Sequence, residues 1–135
     1  ATTALGNLGF EDAVPGLIKS LEDEDTFVRD HAALSLGKIG TTDAIAGLNK
    51  AFYDGNAIAR RMALNALSIT GSKDSIPVAI EALQDDDFGV RVKAIEILES
   101  QGSIAAVSGL LQVLKDKNRF VRLIAERALN NTGQK

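Results

Sequence analysis

Apolar residues recur along this chain in short stripes of helical spacing, and the stripes themselves recur every 31 residues. Val28, Ala32 and Leu36 stand four apart, with Ser35 and Ile39 nearby, and outline one face of a first helix. Val14, Leu17, Ile18 and Leu21 keep the i, i+3, i+4, i+7 spacing of a buried face on a second helix. That face returns as Ile76, Ala79, Ile80 and Leu83, and again as Val107, Leu110, Leu111 and Leu114. In the repeat between, Asn49 takes the third apolar place, which predicts either a polar bond across the stack or a weak point.

Polar punctuation frames each stripe. Asp25, Asn56, Asp87 and Asn118 precede the first helices, where a short side chain accepts from the free amides of a helix start. Gly40 closes the first helix, because glycine reaches the left-handed conformation of a C-cap without steric cost. The second helices start near Asp12, Asp43 and Asp74, with Thr41 and Ser72 as competing caps, and Pro15 and Pro77 fall in their first turns.

Five columns keep this period. Alanine returns at Ala1, Ala32, Ala63, Ala94 and Ala125, leucine at Leu5, Leu36, Leu67, Leu98 and Leu129, and glycine at Gly9, Gly40, Gly71, Gly102 and Gly133. Asp23, Asp54, Asp85 and Asp116 form a fourth column, and Arg29, Arg60, Arg91 and Arg122 a fifth. Such an array covers the apolar face of each unit with its neighbour. The expected fold is all-α, an α-α superhelix or solenoid of about nine short antiparallel helices. It forms one domain over residues 1–135, with its first and last repeats incomplete. Helices of this length are marginal alone, so stacking must stabilise them. The small alanines suit close helix approach. The six-residue interval from aspartate to arginine predicts a ladder of charge-assisted bonds in the turns, each arginine meeting an aspartate of its own or an adjacent unit.

Composition narrows the function. No run approaches the roughly 18 unbroken apolar residues of a membrane span, and no leader pattern opens the chain, so the expectation is a cytoplasmic protein without membrane contact. A net charge of -3 argues against a nucleic-acid scaffold. The chain has no cysteine, which removes disulfides, thiolate metal sites and cysteine nucleophiles.

The segments VRDHAALSLGKIGTTDAIAGLNKAFYD and VRVKAIEILESQGSIAAVSGLLQVLKD resemble short HEAT-like repeats of the type first associated with phycobilisome lyases. The period is shorter than the roughly 33 and 34 residues of ankyrin and tetratricopeptide units, whose signatures are missing. The resemblance implies bilin lyase subunits, phycobilisome-degradation factors, a metal-dependent hydroxylase and scaffolds as relatives. That hydroxylase family holds two irons with His-Glu pairs, a ligand set suited to iron. Here the single histidine is His31, followed by Ala32, so that site is not built, and His31 is expected as a solvent-facing or partly covered helix residue. A phycobilin lyase or chromophore-handling subunit is the alternative function. Its tetrapyrrole would call on Tyr53 beside Lys50, and on Arg60 with Arg61. Phe27, Phe52, Phe88 and Phe120 are expected in the core.

No other chemistry assembles. The acidic runs Glu22 to Asp25 and Asp85 to Asp87 lack a calcium-loop spacing. The glycines sit at helix ends rather than in a phosphate loop. Ser35 and Ser72 have no histidine in register for a triad. Neither catalytic residue, metal nor cofactor is expected, and function falls to a surface. On the second helices, opposite the core stripe, the columns vary freely: Lys19, Lys50, Glu81 and Gln112, then Glu22, Tyr53, Gln84 and Lys115. These eight are the candidate concave-face residues for binding another protein. At the last repeat Leu123 and Ile124 replace residues such as Asp30, Arg61, His31 and Lys93. Either the array continues beyond this chain or another copy covers its ends by end-to-end self-association.

Overall fold

The computed structural model describes residues 13–102 and 104–133. Ala1, Leu5, Gly9 and Asp12 lie outside the described residues, as does the side chain of Asp54. Eight α-helices and no strand lie among the described residues: α1 over residues 13–20, α2 Thr26–Ile39, α3 Thr42–Asp54, α4 Ala57–Thr70, α5 Ile76–Ala82, α6 Phe88–Gln101, α7 Ile104–Val113 and α8 Arg119–Gly133. The ninth expected helix falls on the residues outside. The chain divides into two compact units, 1–70 and 71–135. In the first, α2 and α3 pack on α4 and on each other. In the second, α6 packs on α5, α7 and α8, and α7 packs on α8.

The predicted caps form. Asp25 accepts from the Phe27 amide, Asn56 from Ala59, Asp87 from Val90, and Asn118 from Phe120 and Val121. Each such cap satisfies an amide that the helix leaves without a partner. Gly40, Gly71 and Gly102 take φ of 65°, 62° and 59°, where a side chain would be strained. Thr41 caps α3, and Asp43 then falls in its first turn. Ser72 caps a single 3-10 turn, Lys73–Ser75, which leads into α5 with Pro77 near its start.

The repeating arginines and aspartates close the turns by a route different from a simple carboxylate ladder. Arg29 Nη1 donates to the main-chain carbonyls of Asp23 (2.6 Å) and Glu24 (3.0 Å), Arg91 Nη1 to those of Asp85 (2.7 Å) and Asp86 (3.1 Å), and Arg122 Nη1 to that of Asp116 (2.6 Å). Arg60 Nη1 reaches the Gly55 carbonyl at 3.0 Å. The aspartate side chains turn the other way and accept from the amide two residues on: Asp23 from Asp25, Asp85 from Asp87, and Asp116 from Asn118. Within its own repeat, the arginine therefore binds carbonyls that a helix end leaves open, while the carboxylate shapes the turn. A carboxylate contact does join neighbouring repeats at Arg91 and Asp116.

The core is layered as the columns predict. Ala32, Ala63, Ala94 and Ala125 are all buried, as are Leu36, Leu67 and Leu98, while Leu129 is half-buried. Three expectations fail, the first at Val28, which was expected on the apolar face of α2 and is 37% exposed in its first turn. Phe52 is buried, but Phe27, Phe88 and Phe120 are 86%, 51% and 53% exposed. They stand one or two residues past the N-caps, where the first helical turn projects its side chains toward the helix start and beyond the packed layers. On α7 the buried set is Ala106, Gly109, Leu110 and Val113, so the predicted face is displaced, and Leu111 and Leu114 are exposed. Their counterparts, Ile80 on α5 and Leu83 just past its end, face α7 at Gly109. Among the described residues nothing covers α7 in the way that α7 covers α5.

Asn49 proves to be the weak point. Its Oδ1 is buried without a hydrogen-bond partner. Replacing Asn49 with leucine is expected to raise stability by about 1 to 2 kcal/mol, because an unpaired buried polar atom is removed and apolar surface is gained. A higher urea midpoint for the variant, followed by circular dichroism, checks this.

Candidate functional site

All eight candidate residues are exposed, so the core claims none of them. Lys19, Lys50, Tyr53, Glu81 and Gln112 stand on second helices, whereas Glu22, Gln84 and Lys115 lie in the turns just past helix ends. The structure gathers six of the eight into two separate grooves, one per unit.

The groove of the first unit lies between α1 and α3 and measures about 310 Å³. Pro15, Ile18, Leu21, Gly47 and Ala51 form its apolar lining, and Lys19, Glu22 and Lys50 its charged rim. A Cβ at Gly47 would lie 2.6 Å from Ile18 Cγ1, so the glycine lets α1 and α3 approach closely. Tyr53 is three residues beyond Lys50 and on the same side of α3. Its ring is 57% exposed and meets the buried Phe52 ring edge to face, with centroids 5.3 Å apart at 85°. A buried anchor thus steadies an exposed aromatic, although Tyr53 does not line the groove.

The groove of the second unit, about 260 Å³, is polar. Gln84, Gln112 and Lys115 line it together with Asp85, Asp86 and Lys117. Arg91 and Asp116 also line it, with side chains only 5% and 9% exposed. Arg91 Nη2 donates to Asp116 Oδ1 at 3.2 Å, and Nε lies 2.8 Å from Oδ2 without its N–H directed along that contact. Nη1 serves the two carbonyls of the opposite turn, so one guanidinium holds together both turns that wall the groove. Glu81 is exposed on α5 and lies outside this lining.

Sequence reasoning missed Asp86 and Lys117 on this rim, and the exposed rings Phe88 and Phe120 that follow the two turns. The position of a phenylalanine just past an N-cap is the signal that was available for the rings. His31 is exposed on α2. Among the described residues, no three histidine, cysteine, aspartate or glutamate side chains converge to hold a metal ion, and no helix is long and apolar enough to cross a membrane.

Comparison with known proteins adds a second line of evidence. A sequence profile of HEAT repeats matches residues 1–68 and 48–130. Human deoxyhypusine hydroxylase, solved in complex with glycerol, is similar in structure with a TM-score of 0.79 and 25% identity, over 90% of this chain and 44% of that one. The present chain therefore spans less than half the length of that enzyme. An engineered protein is similar with a TM-score of 0.60 and 22% identity, over 95% of this chain and 67% of that one, a likeness of fold alone. Comparison of the sequence with curated proteins gives no match.

Proposed function

The chain belongs to the HEAT-repeat family, and from that premise we propose that it is a non-enzymatic scaffold that binds another protein on the grooves of its second helices. One observation carries the reading. The repeating columns are taken up by caps, turn closure and core, while the two varying columns singled out on the second helices are exposed and six of their eight residues line grooves. A fixed frame with variable rims is how a repeat array presents a tuned surface.

Tyr53 is suited to lead such a contact, as a rigid amphipathic ring beside a lysine. The variant Lys50→Glu, Tyr53→Ala, Lys115→Glu is expected to lose at least tenfold of its capture of the native partner from lysate, the loss of about 1.4 kcal/mol or more. Its far-ultraviolet circular dichroism should be unchanged, because all three side chains are exposed. Capture of the same protein at wild-type level by the folded variant would sink the proposal.

The likeness to deoxyhypusine hydroxylase supports the fold. A chain with one histidine, standing exposed on α2, offers no set of paired ligands. The chromophore-handling reading, of the phycobilisome-lyase kind, has in its favour the placement of Lys50 and Tyr53 on one side of α3. A titration with free bilin discriminates it. The scaffold reading expects an unchanged visible spectrum, and a saturable shift lost in Tyr53→Ala would favour the alternative.

A further inference from the structure

The polar groove of the second unit is divided by sign. Asp85 and Asp86 stand on the wall that follows α5, and Lys115 and Lys117 on the wall that follows α7. Arg91 and Asp116, buried between the two turns, neutralise each other. The charge that remains is therefore negative on one wall and positive on the other.

Opposite charges that closed on each other would leave nothing to recognise, and these do not close. The side chains of Asp86, Lys115 and Lys117 are exposed and have no hydrogen-bond or ion-pair partner among the described residues. The same holds for Gln84 on the first wall and Gln112 on the second. Both walls are set from below instead. Arg91 Nη1 binds the carbonyls of Asp85 and Asp86, and Nη2 binds the Asp116 carboxylate, which also accepts from the Asn118 amide.

We infer that this groove takes an extended segment of the partner protein in which a basic and an acidic residue are adjacent, the cation meeting the wall of Asp85 and Asp86 and the carboxylate meeting Lys115 and Lys117. Adjacency follows from backbone geometry. Successive side chains of an extended chain point to opposite sides, so neighbours of opposite sign reach opposite walls. A side-chain amide both donates and accepts, which suits Gln84 and Gln112 to the main chain of the same segment. A segment of one sign throughout would be attracted by one wall and repelled by the other. The inference rests on the protein-binding reading above and gives the partner a chemistry at one of its two grooves.

Nuclear magnetic resonance titration of the nitrogen-15-labelled full chain with four octapeptides tests it. The first alternates arginine and aspartate. The second separates arginine from aspartate by single serines, so that both signs share one side of the extended chain. The third alternates arginine with serine, and the fourth aspartate with serine. The first peptide is expected to shift the amides of residues 84–86 and 112–117 and to bind at least about tenfold more tightly than the others, each of which leaves a wall without its counter-charge. Rising salt should weaken it, since the rim charges are exposed. Asp86→Lys should move the preference to the aspartate–serine peptide, and Lys115→Glu with Lys117→Glu to the arginine–serine peptide. Circular dichroism of these variants should match wild type, because the replaced side chains are exposed. Equal binding of the first two peptides overturns the inference. So does tighter binding of either one-sign peptide to the wild type, or a titration in which no peptide shifts the groove amides. Each of these results leaves the capture assay of the scaffold reading standing. A chain that binds the alternating peptide as expected but captures no protein from lysate counts against the scaffold reading and supports the charge preference of the groove.

Discussion

Arg91→Ala is expected to lower stability by about 3 to 5 kcal/mol, the range for removing one partner of a buried ion pair. Asp116 would keep a carboxylate with a side chain only 9% exposed and lose the guanidinium beside it. The carbonyls of Asp85 and Asp86 would lose their common donor. Arg91→Lys should recover part of the loss, because an ammonium is a point charge and cannot span the carbonyls of one turn and the carboxylate of the next. The double replacement Arg91→Met, Asp116→Leu should be more stable than Arg91→Ala, since no buried charge is left alone. Arg29 provides the contrast. Its carbonyl bonds lie in an exposed setting, so Arg29→Ala should cost only about 1 kcal/mol. Urea denaturation of the four variants, followed by circular dichroism, gives the ranking. Equal losses for Arg29→Ala and Arg91→Ala would show that the contact with Asp116 adds nothing.

Gly37→Ala should be the second most damaging change, although alanine is the better helix former by about 1 kcal/mol. A Cβ at Gly37 would lie 2.6 Å from the Ala66 carbonyl oxygen and 3.3 Å from its carbon, so α2 meets the backbone of α4 there and no rotamer change relieves the clash. The helices must separate, which opens space around Leu36, Ala63 and Leu67. We expect a net loss of about 1 to 3 kcal/mol, and more for Gly37→Val. Gly47→Ala is the matched control. Its close neighbour is the mobile end of the Ile18 side chain, which can swing aside, so the gain in helix propensity should nearly offset the crowding. Thermal unfolding of the three variants should place Gly47→Ala close to wild type and the two Gly37 variants well below it.

What the sequence revealed and what it hid divide along physical lines. Caps at Asp25, Asn56, Asp87 and Asn118, and left-handed glycines at Gly40, Gly71 and Gly102, depend on a few adjacent residues and were legible. The interval from Asp23 to Arg29 showed that the two meet, but spacing does not say whether guanidinium finds the carboxylate or the carbonyl of the same residue. The stripe on α7 was read one position out of place because a wide apolar face does not reveal which side a neighbour covers; Leu111 and Val113 exchange roles according to what packs against them. Gly37 carried no positional signal, since its column also holds Ser68 and Glu99, and its role depends on how closely α4 approaches. For the site, the variable columns indicated exposure. Only tertiary packing decided that Lys19, Glu22 and Lys50 share one groove and Gln84, Gln112 and Lys115 another, with Tyr53 and Glu81 outside both.

In the proposed function, a fixed frame presents a protein-binding surface at the two varying columns of the second helices. Amide hydrogen exchange of the full chain, free and bound to the protein it captures, locates that surface. Slowed exchange on binding is expected at residues 15–22 and 47–53, and at 84–86 and 112–117, with the first helices α2, α4, α6 and α8 unchanged. Protection confined to those first helices, with the groove segments exchanging as in the free chain, would contradict it.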